Sequence, residues 1–273
     1  MKLTSVTSMS AQRILNNNSS DAERESVRLA TGDRISQAAY DPAGLAISSK
    51  LRSRLRSMQQ ANRNANDSVS MIQVGEGVLS SVHEMGARLK ELALQSANDT
   101  MGDSERMMAN LEFQNLKIEI KRIVGSAKFN GKNLFDELGG NHDFQVGINN
   151  DKSADRITYD MKKVLKSADN VGLGNGSIAT KGESHKVMYP IDSMISEISK
   201  ARAVLGSMQK RVETVSTGIQ ISHENESASE SKIRDTEYAS STANLLIAKL
   251  KEDSTTAWLA QANVESKNIE KLL

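Results

Sequence analysis

The chain has no cysteine among its 273 residues, which excludes disulfides, thiolate metal sites and cysteine nucleophiles. Aromatic residues are scarce, with one Trp, four Tyr and four Phe, while Ala, Ser, Leu and Met fill the small and apolar positions. An interior built from such residues consists of thin helix-helix seams rather than a thick globular centre. No charge of one sign dominates: 35 Lys and Arg stand against 34 Asp and Glu, so no global field draws the chain to nucleic acid or to an anionic membrane. No apolar run reaches the length of a membrane span, so membrane insertion is not expected. The segment Met1-Lys2-Leu3-Thr4-Ser5-Val6-Thr7 lacks the apolar core of a secretory signal. The protein is therefore expected either to stay inside the cell or to leave without a cleaved signal.

What the sequence does contain is a hydrophobic code near each end. Leu45, Leu51, Leu55, Met58, Ala65, Val69, Ile72, Leu79, Val82, Leu89 and Leu92 hold a near-heptad spacing. Asp41 is placed to cap this helix and Pro42 to occupy its first position, where a missing N–H is harmless. Running to about Ala97, the helix would be on the order of 80 Å long at about 1.5 Å per residue. Near the other end Ile191, Ile198, Ala201, Leu205, Met208, Val212, Val215 and Ile219 alternate threes and fours, and Pro190 is expected to open that helix. The pattern fades through His223-Glu224-Asn225-Glu226-Ser227 and resumes from Ile233, most strongly at Leu245-Leu246-Ile247.

Between these stripes a helix is expected from Ser104 to about Ala127, with Met108, Leu111, Leu116, Ile120 and Ile123 as its apolar face, folded back on the long helix as an αα-hairpin. Alternation in Phe144, Val146 and Ile148, then in Ile157, Tyr159 and Met161, predicts a small β-hairpin around 143–162. Ser167 to Ser184 reads as loop. Residues 1 to about 30 carry a sparse stripe of Leu3, Val6, Met9, Ile14 and Leu15, too weak to order until something packs on it. The apolar terminus Leu272-Leu273 is expected to be buried in a partner.

Chemistry is hard to find. His83, His142, His185 and His223 are scattered without metal-ligand spacing. Asp151 and Asp155 lack the ordered spacing of a calcium loop and read as a solvated turn. Gly75-Glu76-Gly77 lies inside a helical stripe, where glycine permits close backbone approach, and has neither the strand nor the Gly-Lys-Ser of a phosphate loop. The run Lys50, Arg52, Arg54 and Arg56 alternates around a helix without interleaved aromatics and reads as a solvated face. No catalytic constellation, cofactor site or metal site is expected, and the chain is not expected to be an enzyme.

Other residues resemble a known family. Arg28-Leu29-Ala30-Thr31-Gly32-Asp33-Arg34-Ile35, Asp41-Pro42-Ala43-Gly44-Leu45-Ala46-Ile47-Ser48, Gln73-Val74-Gly75-Glu76-Gly77-Val78-Leu79 and Phe129-Asn130-Gly131 stand in order in the N-terminal half. Arg202-Ala203-Val204-Leu205-Gly206-Ser207-Met208-Gln209-Lys210-Arg211, Ser231-Lys232-Ile233-Arg234-Asp235 and Leu259-Ala260-Gln261-Ala262-Asn263 follow near the end. Together they are similar to the bacterial flagellins. The resemblance implies a mainly α fold, a long antiparallel helical bundle or coiled coil with a small β-hairpin. Residues 1–40 and 235–273 would form an inner terminal domain, and 41–234 an outer domain, with no inserted variable domains. It implies a structural subunit that polymerises with itself into the flagellar filament used for swimming, outside the cell. Its partners would be the flagellar export apparatus, an export chaperone and a cap protein.

Under this reading Leu3, Val6, Ile14, Leu245, Leu246, Leu250, Leu259, Leu272 and Leu273 carry self-assembly. Arg88, Leu92 and Glu112 match positions recognised in the family by the innate receptor Toll-like receptor 5, with Ala87 replacing the adjoining glutamine. Two rivals are a hook-filament junction protein and a secreted coiled-coil ligand or adhesin.

Overall fold

A computed structural model describes residues 2–135, 141–160, 174 and 176–272. Among these residues five helices carry most of the chain: α1 (Lys2–Thr31), α2 (Pro42–Ser96), α3 (Asp103–Ser126), α4 (Lys181–Arg234) and α5 (Tyr238–Leu272). Two antiparallel strand pairs accompany them, β1 (Lys128–Phe129) with β2 (Lys132–Asn133), and β3 (Asn141–Gln145) with β4 (Arg156–Asp160). The chain groups into two compact units, one of Arg56–His223 and the other of Met1–Leu55 with Glu224–Leu273.

Helix boundaries follow local chemistry. Gly32, at φ 73°, ends α1 in the left-handed conformation, its N–H donating to the Arg28 carbonyl at 2.8 Å. Asp41 caps α2 as expected: its carboxylate accepts the Gly44 N–H at 2.8 Å. Gly44 is closely enclosed: a Cβ there would lie 2.3 Å from Asp41 Oδ2 and 2.8 Å from Ile35 Cδ1, so one of those side chains would have to move. The far end of α2 is closed by Arg106 of α3, a buried side chain whose guanidinium donates to the Ser96 carbonyl at 3.0 Å and the Asn98 carbonyl at 2.9 Å.

In the Arg56–His223 unit the predicted stripes meet. Ile72, Leu79, Val82, Leu89 and Leu92 of α2 pack in one cluster with Ile191, Ile198, Leu205, Met208 and Val212 of α4. The register is antiparallel: Asn62 accepts a hydrogen bond from Ser216 at 2.6 Å, and Lys90 reaches Asp192 at 2.5 Å. Close backbone approach occurs at Gly86, where a Cβ would stand 3.0 Å from Met194 and 3.2 Å from Ile195, whereas Gly77 faces open space.

Two expectations are corrected. Helix α4 begins at Lys181, not at Pro190, which sits inside it. Thr180 Oγ1 accepts the Glu183 N–H at 3.3 Å, so Thr180 is the cap. The buried face already runs through Ser184 and Val187. An interior proline costs about 3 kcal/mol; each fully buried aliphatic side chain contributes about 1.5–3 kcal/mol, so burying Val187 and Ile191 on either side of it is enough to carry the helix through. On α3 the inward face is Ala109, Phe113, Leu116, Ile120 and Ile123, while Met108 and Leu111 point outward. Phe113, fully buried, sets that phase. Asn130 and Gly131 have φ of 49° and 77°, so Phe129-Asn130-Gly131-Lys132 is a tight hairpin turn of the primed kind.

The predicted larger hairpin is present, with Phe144 opposite Ile157 and both buried. Met161 and residues 167–173 and 175 of the expected loop lie outside the described residues. Asp151 and Asp155 form a self-satisfied turn: Asp155 accepts the Asp151 N–H at 3.0 Å, and Asp151 accepts the Ser153 N–H at 2.8 Å. The Val146 and Gly147 N–H groups both donate to the Asp155 carbonyl at 2.9 Å, which makes a bulge. A Cβ on Gly147 would collide with the Asp155 carboxylate, 1.8 Å from Oδ1.

Candidate assembly surface

Helices α1 and α5 pack on each other through small and polar side chains. Ser241, Ala248 and Thr255 recur every seventh residue along α5 and are buried, as are Ala11, Ala22 and Glu25 on α1. Across the seam Asn18 Nδ2 donates to Thr255 Oγ1 at 3.3 Å. Large apolar side chains point the other way: Met9 is 69% exposed, Leu250 68%, Leu246 58% and Trp258 50%. Ile14, Ile247 and Leu250 line an open cleft of about 510 Å³ whose polar side is Asn18 and Thr255. The pair is thus inside out, small residues within and large ones without, and an outward apolar face of this kind marks an interaction surface.

This places the sequence-derived residues. Ile14, Leu246 and Leu250 are on the outward face, while Leu245 and Leu259 are half-buried. The side chains of Leu3, Val6 and Leu272, and the whole of Leu273, lie outside the described residues. Ile247 and Trp258 belong to the same face and were missed as site residues. The signal that would have found them is the heptad of small residues at 241, 248 and 255, which fixes which side of α5 faces inward.

Where the apolar code fades, a charge code takes over. Arg52 Nε lies 2.8 Å from Glu230 and Arg54 Nη2 lies 2.7 Å from Glu226. Arg52 and Arg54 of the basic run, each about half exposed, are thus paired with carboxylates on α4, which continues unbroken to Arg234. Asp33 receives Arg234 Nη2 at 2.8 Å. That hydrogen bond holds the Asp33 carboxyl below its usual range, against an opposing contribution from burial, with the charges of Arg234 and Arg52 adding to the lowering.

Of the three receptor-matched residues, Arg88 and Glu112 form an exposed ion pair between α2 and α3 at 2.9 Å. Leu92 is 2% exposed, so in this chain it packs the core rather than lining a surface. Among the described residues, no group of three or more His, Asp or Glu is arranged to hold a metal ion, and no helix is long and apolar enough to cross a membrane.

Comparisons with known proteins agree with this architecture. The family described as "Bacterial flagellin N-terminal helical region" matches residues 3–139, and "Bacterial flagellin C-terminal helical region" matches residues 188–273. The chain is 35% identical over 265 residues to a flagellin of Halalkalibacterium halodurans, covering 97% of this chain and 96% of the relative. It is 35% identical over 280 residues to the flagellar filament 30.7 kDa core protein of Treponema maltophilum, covering 98% of each. Among solved structures, the crystal structure of Bacillus cereus flagellin aligns with TM-score 0.52 at 24% identity, over 57% of this chain and 88% of that one. A putative flagellar hook-associated protein from Vibrio parahaemolyticus aligns with TM-score 0.59 at 14% identity, over 72% and 100%; both likenesses bear on the fold alone. With two family regions and full-length relatives in agreement, the chain belongs to the bacterial flagellins, structural subunits of the flagellar filament and not enzymes.

Proposed function

We propose that this subunit polymerises through the outward apolar face of α1 and α5, and that these helices gain their final order only on assembly. Residues 1–40 and 235–273 would form the inner layer of the filament and residues 41–234 the outer layer. The observation that carries the reading is the inverted pair itself. Leu246, Ile247, Leu250 and Trp258 stay exposed in a seam that buries mainly Ala, Ser and Thr, so two isolated helices gain little from pairing. A second copy supplies what is missing. A contact in which the face of one subunit meets a different surface of the next does not close on itself and generates a helical polymer.

Termini that fold only on assembly would also suit passage through a narrow channel. On this reading the chain is handled by the flagellar export apparatus and an export chaperone, and is added beneath a cap protein at the extracellular tip. Recognition by Toll-like receptor 5 would rest on the exposed pair Arg88 and Glu112. The central test removes residues 1–30 or 240–273. Circular dichroism melting should show the helices of the Arg56–His223 unit still folding cooperatively, while seeded mixtures yield no sedimentable filaments. Filaments from either truncation would overturn the assignment.

A further inference from the structure

The linkers that leave α1 and enter α5 are tied together by charge. Asp33 and Asp235 form an antiparallel bridge. The Arg34 N–H donates to the Arg234 carbonyl at 2.6 Å, and the Thr236 N–H to the Gly32 carbonyl at 2.8 Å. Around this backbone clasp, the Arg234 guanidinium donates to Asp33 at 2.8 Å and to Ser48 Oγ of α2 at 3.3 Å. Arg52 of α2 approaches Asp33 at 3.7 Å while bonding Glu230 of α4 at 2.8 Å. One cluster thereby touches the end of α1, the start of α2, the end of α4 and the start of α5, all within the unit formed by Met1–Leu55 and Glu224–Leu273.

The Arg34 guanidinium adds hydrogen bonds to the Ile233 carbonyl at 3.2 and 2.7 Å, and Arg28 Nε donates to the Arg34 carbonyl at 3.1 Å, whereas apolar packing contributes little. Among the described residues of the unit, Ile35 is the one large apolar side chain that is buried; the other buried hydrophobics are Ala11, Ala22 and Ala248. The Asp33 and Arg234 side chains are only 24% and 16% exposed, so their interaction is far less screened than a surface ion pair. A hydrophobic contact would tolerate sliding, whereas a hydrogen-bonded ion pair fixes direction.

We propose that Asp33 and Arg234 are positioning residues for filament assembly. Their ion pair, braced by Arg52 and Glu230, seats the α1–α5 pair against the adjoining ends of α2 and α4, so that the assembly face is offered to the next copy in one orientation. Preorganisation of this kind lowers the ordering entropy that each addition to the polymer has to overcome. The inference rests on the reading that the α1–α5 face is the assembly face.

The latch also carries a pH signature. Asp33 is faced by Arg234 from α4 and Arg52 from α2, with Arg34 next to it in its own linker and Glu230 and Asp235 flanking Arg234. Because the carboxyl is depressed in the folded state, its stabilisation is complete above the unfolded value and is lost as pH falls through the folded value.

The test measures the critical concentration for seeded polymerisation of the full chain and of Asp33→Asn, Arg234→Met, the double variant and Arg234→Lys. At neutral pH each of the first two is expected to raise the critical concentration about tenfold, the size of a partly buried charge-assisted hydrogen bond. The double variant should do no worse than either single one, and Arg234→Lys should recover part of the loss. The deficit of Asp33→Asn should begin to narrow as pH falls through the ordinary carboxylate value of about 4 and should close only once the depressed carboxyl of the latched parent is itself protonated. Melting of the Arg56–His223 unit should be unchanged throughout. Parental critical concentrations in both single variants, simple addition of the two losses, or a deficit independent of pH would each overturn the proposal. Leu250→Asp separates the two levels: if it assembles normally the assembly-face reading fails, and if it is blocked while Asp33→Asn is not, the latch alone fails.

Discussion

The two helical pairs of this molecule use opposite rules. Where α2 and α4 meet between residues 65 and 212, the Leu, Ile, Val and Met side chains of the heptad stripes are buried against each other, although Val74, Leu94 and Val204 stay exposed. Where α1 and α5 meet, Ala, Ser and Thr are buried and Leu, Ile and Trp are outside. The first arrangement satisfies its main apolar stripes within one molecule. The second leaves its strongest driving force unused, and a subunit of a polymer needs such a reserve, because apolar area buried inside the monomer cannot also bind a neighbour.

Charging the outward face should produce the largest effect. Ile247→Asp combined with Leu250→Asp places two carboxylates where assembly demands burial, and desolvating each costs several kcal/mol. Seeded polymerisation should fall by more than a hundredfold, read by sedimentation, with no change in the melting of the Arg56–His223 unit. Equal assembly would remove the distinction between the two pairs.

Truncating the interior of the other pair should give the converse. Leu205 is fully buried, and Leu205→Ala is expected to destabilise the central unit by about 2–5 kcal/mol in urea unfolding, through lost burial and the cavity left behind. Assembly at a temperature well below the new midpoint should continue.

The contrast also explains what was legible in the residues. The α2 stripe and most of the α4 stripe could be read because large apolar side chains at heptad spacing have one physical meaning. On α5 the large residues were read as an assembly face, and Leu246 and Leu250 are exposed; the side that packs on α1 is marked instead by the heptad Ser241, Ala248 and Thr255. The start of α4 was missed because Pro190 is a louder signal than the Thr180–Glu183 cap, although burial on either side of the proline decides the matter. Asp33 with Arg234 lay beyond the sequence, being 201 residues apart and joined only when two linkers form a bridge. Arg52 with Glu230 was nearer to hand: a basic run at one end of a seam and an acidic run at the other end of its antiparallel partner are an ionic continuation of that seam.

A smaller effect is expected at the start of α2. Asp41→Ala removes the acceptor for the Gly44 N–H, a change worth about 1 kcal/mol for a helix cap. Gly44→Ala attacks the same cap from the other side, since its Cβ would lie within 2.3 Å of Asp41 Oδ2 and would displace either the carboxylate or Ile35. Because both act on one interaction, their combination should cost less than the sum of the two, measured by chemical denaturation of the full chain.

The smallest effect belongs to the ion pair between Lys181 at the start of α4 and Asp99 in the turn after α2. Its geometry is as good as that of the latch, with Lys181 Nζ 2.7 Å from Asp99, and the hydrogen bond from Lys181 lowers the Asp99 carboxyl in the same direction. The surroundings differ: the two side chains are 46% and 78% exposed, so water and salt screen what the distance suggests. Lys181→Ala should leave both the unfolding midpoint and the critical concentration for assembly within experimental error of the parent at physiological salt, whereas loss of the Asp33–Arg234 pair should still raise the critical concentration there. If Lys181→Ala proved as damaging as Asp33→Asn, burial would not be what separates a structural latch from a surface contact in this subunit.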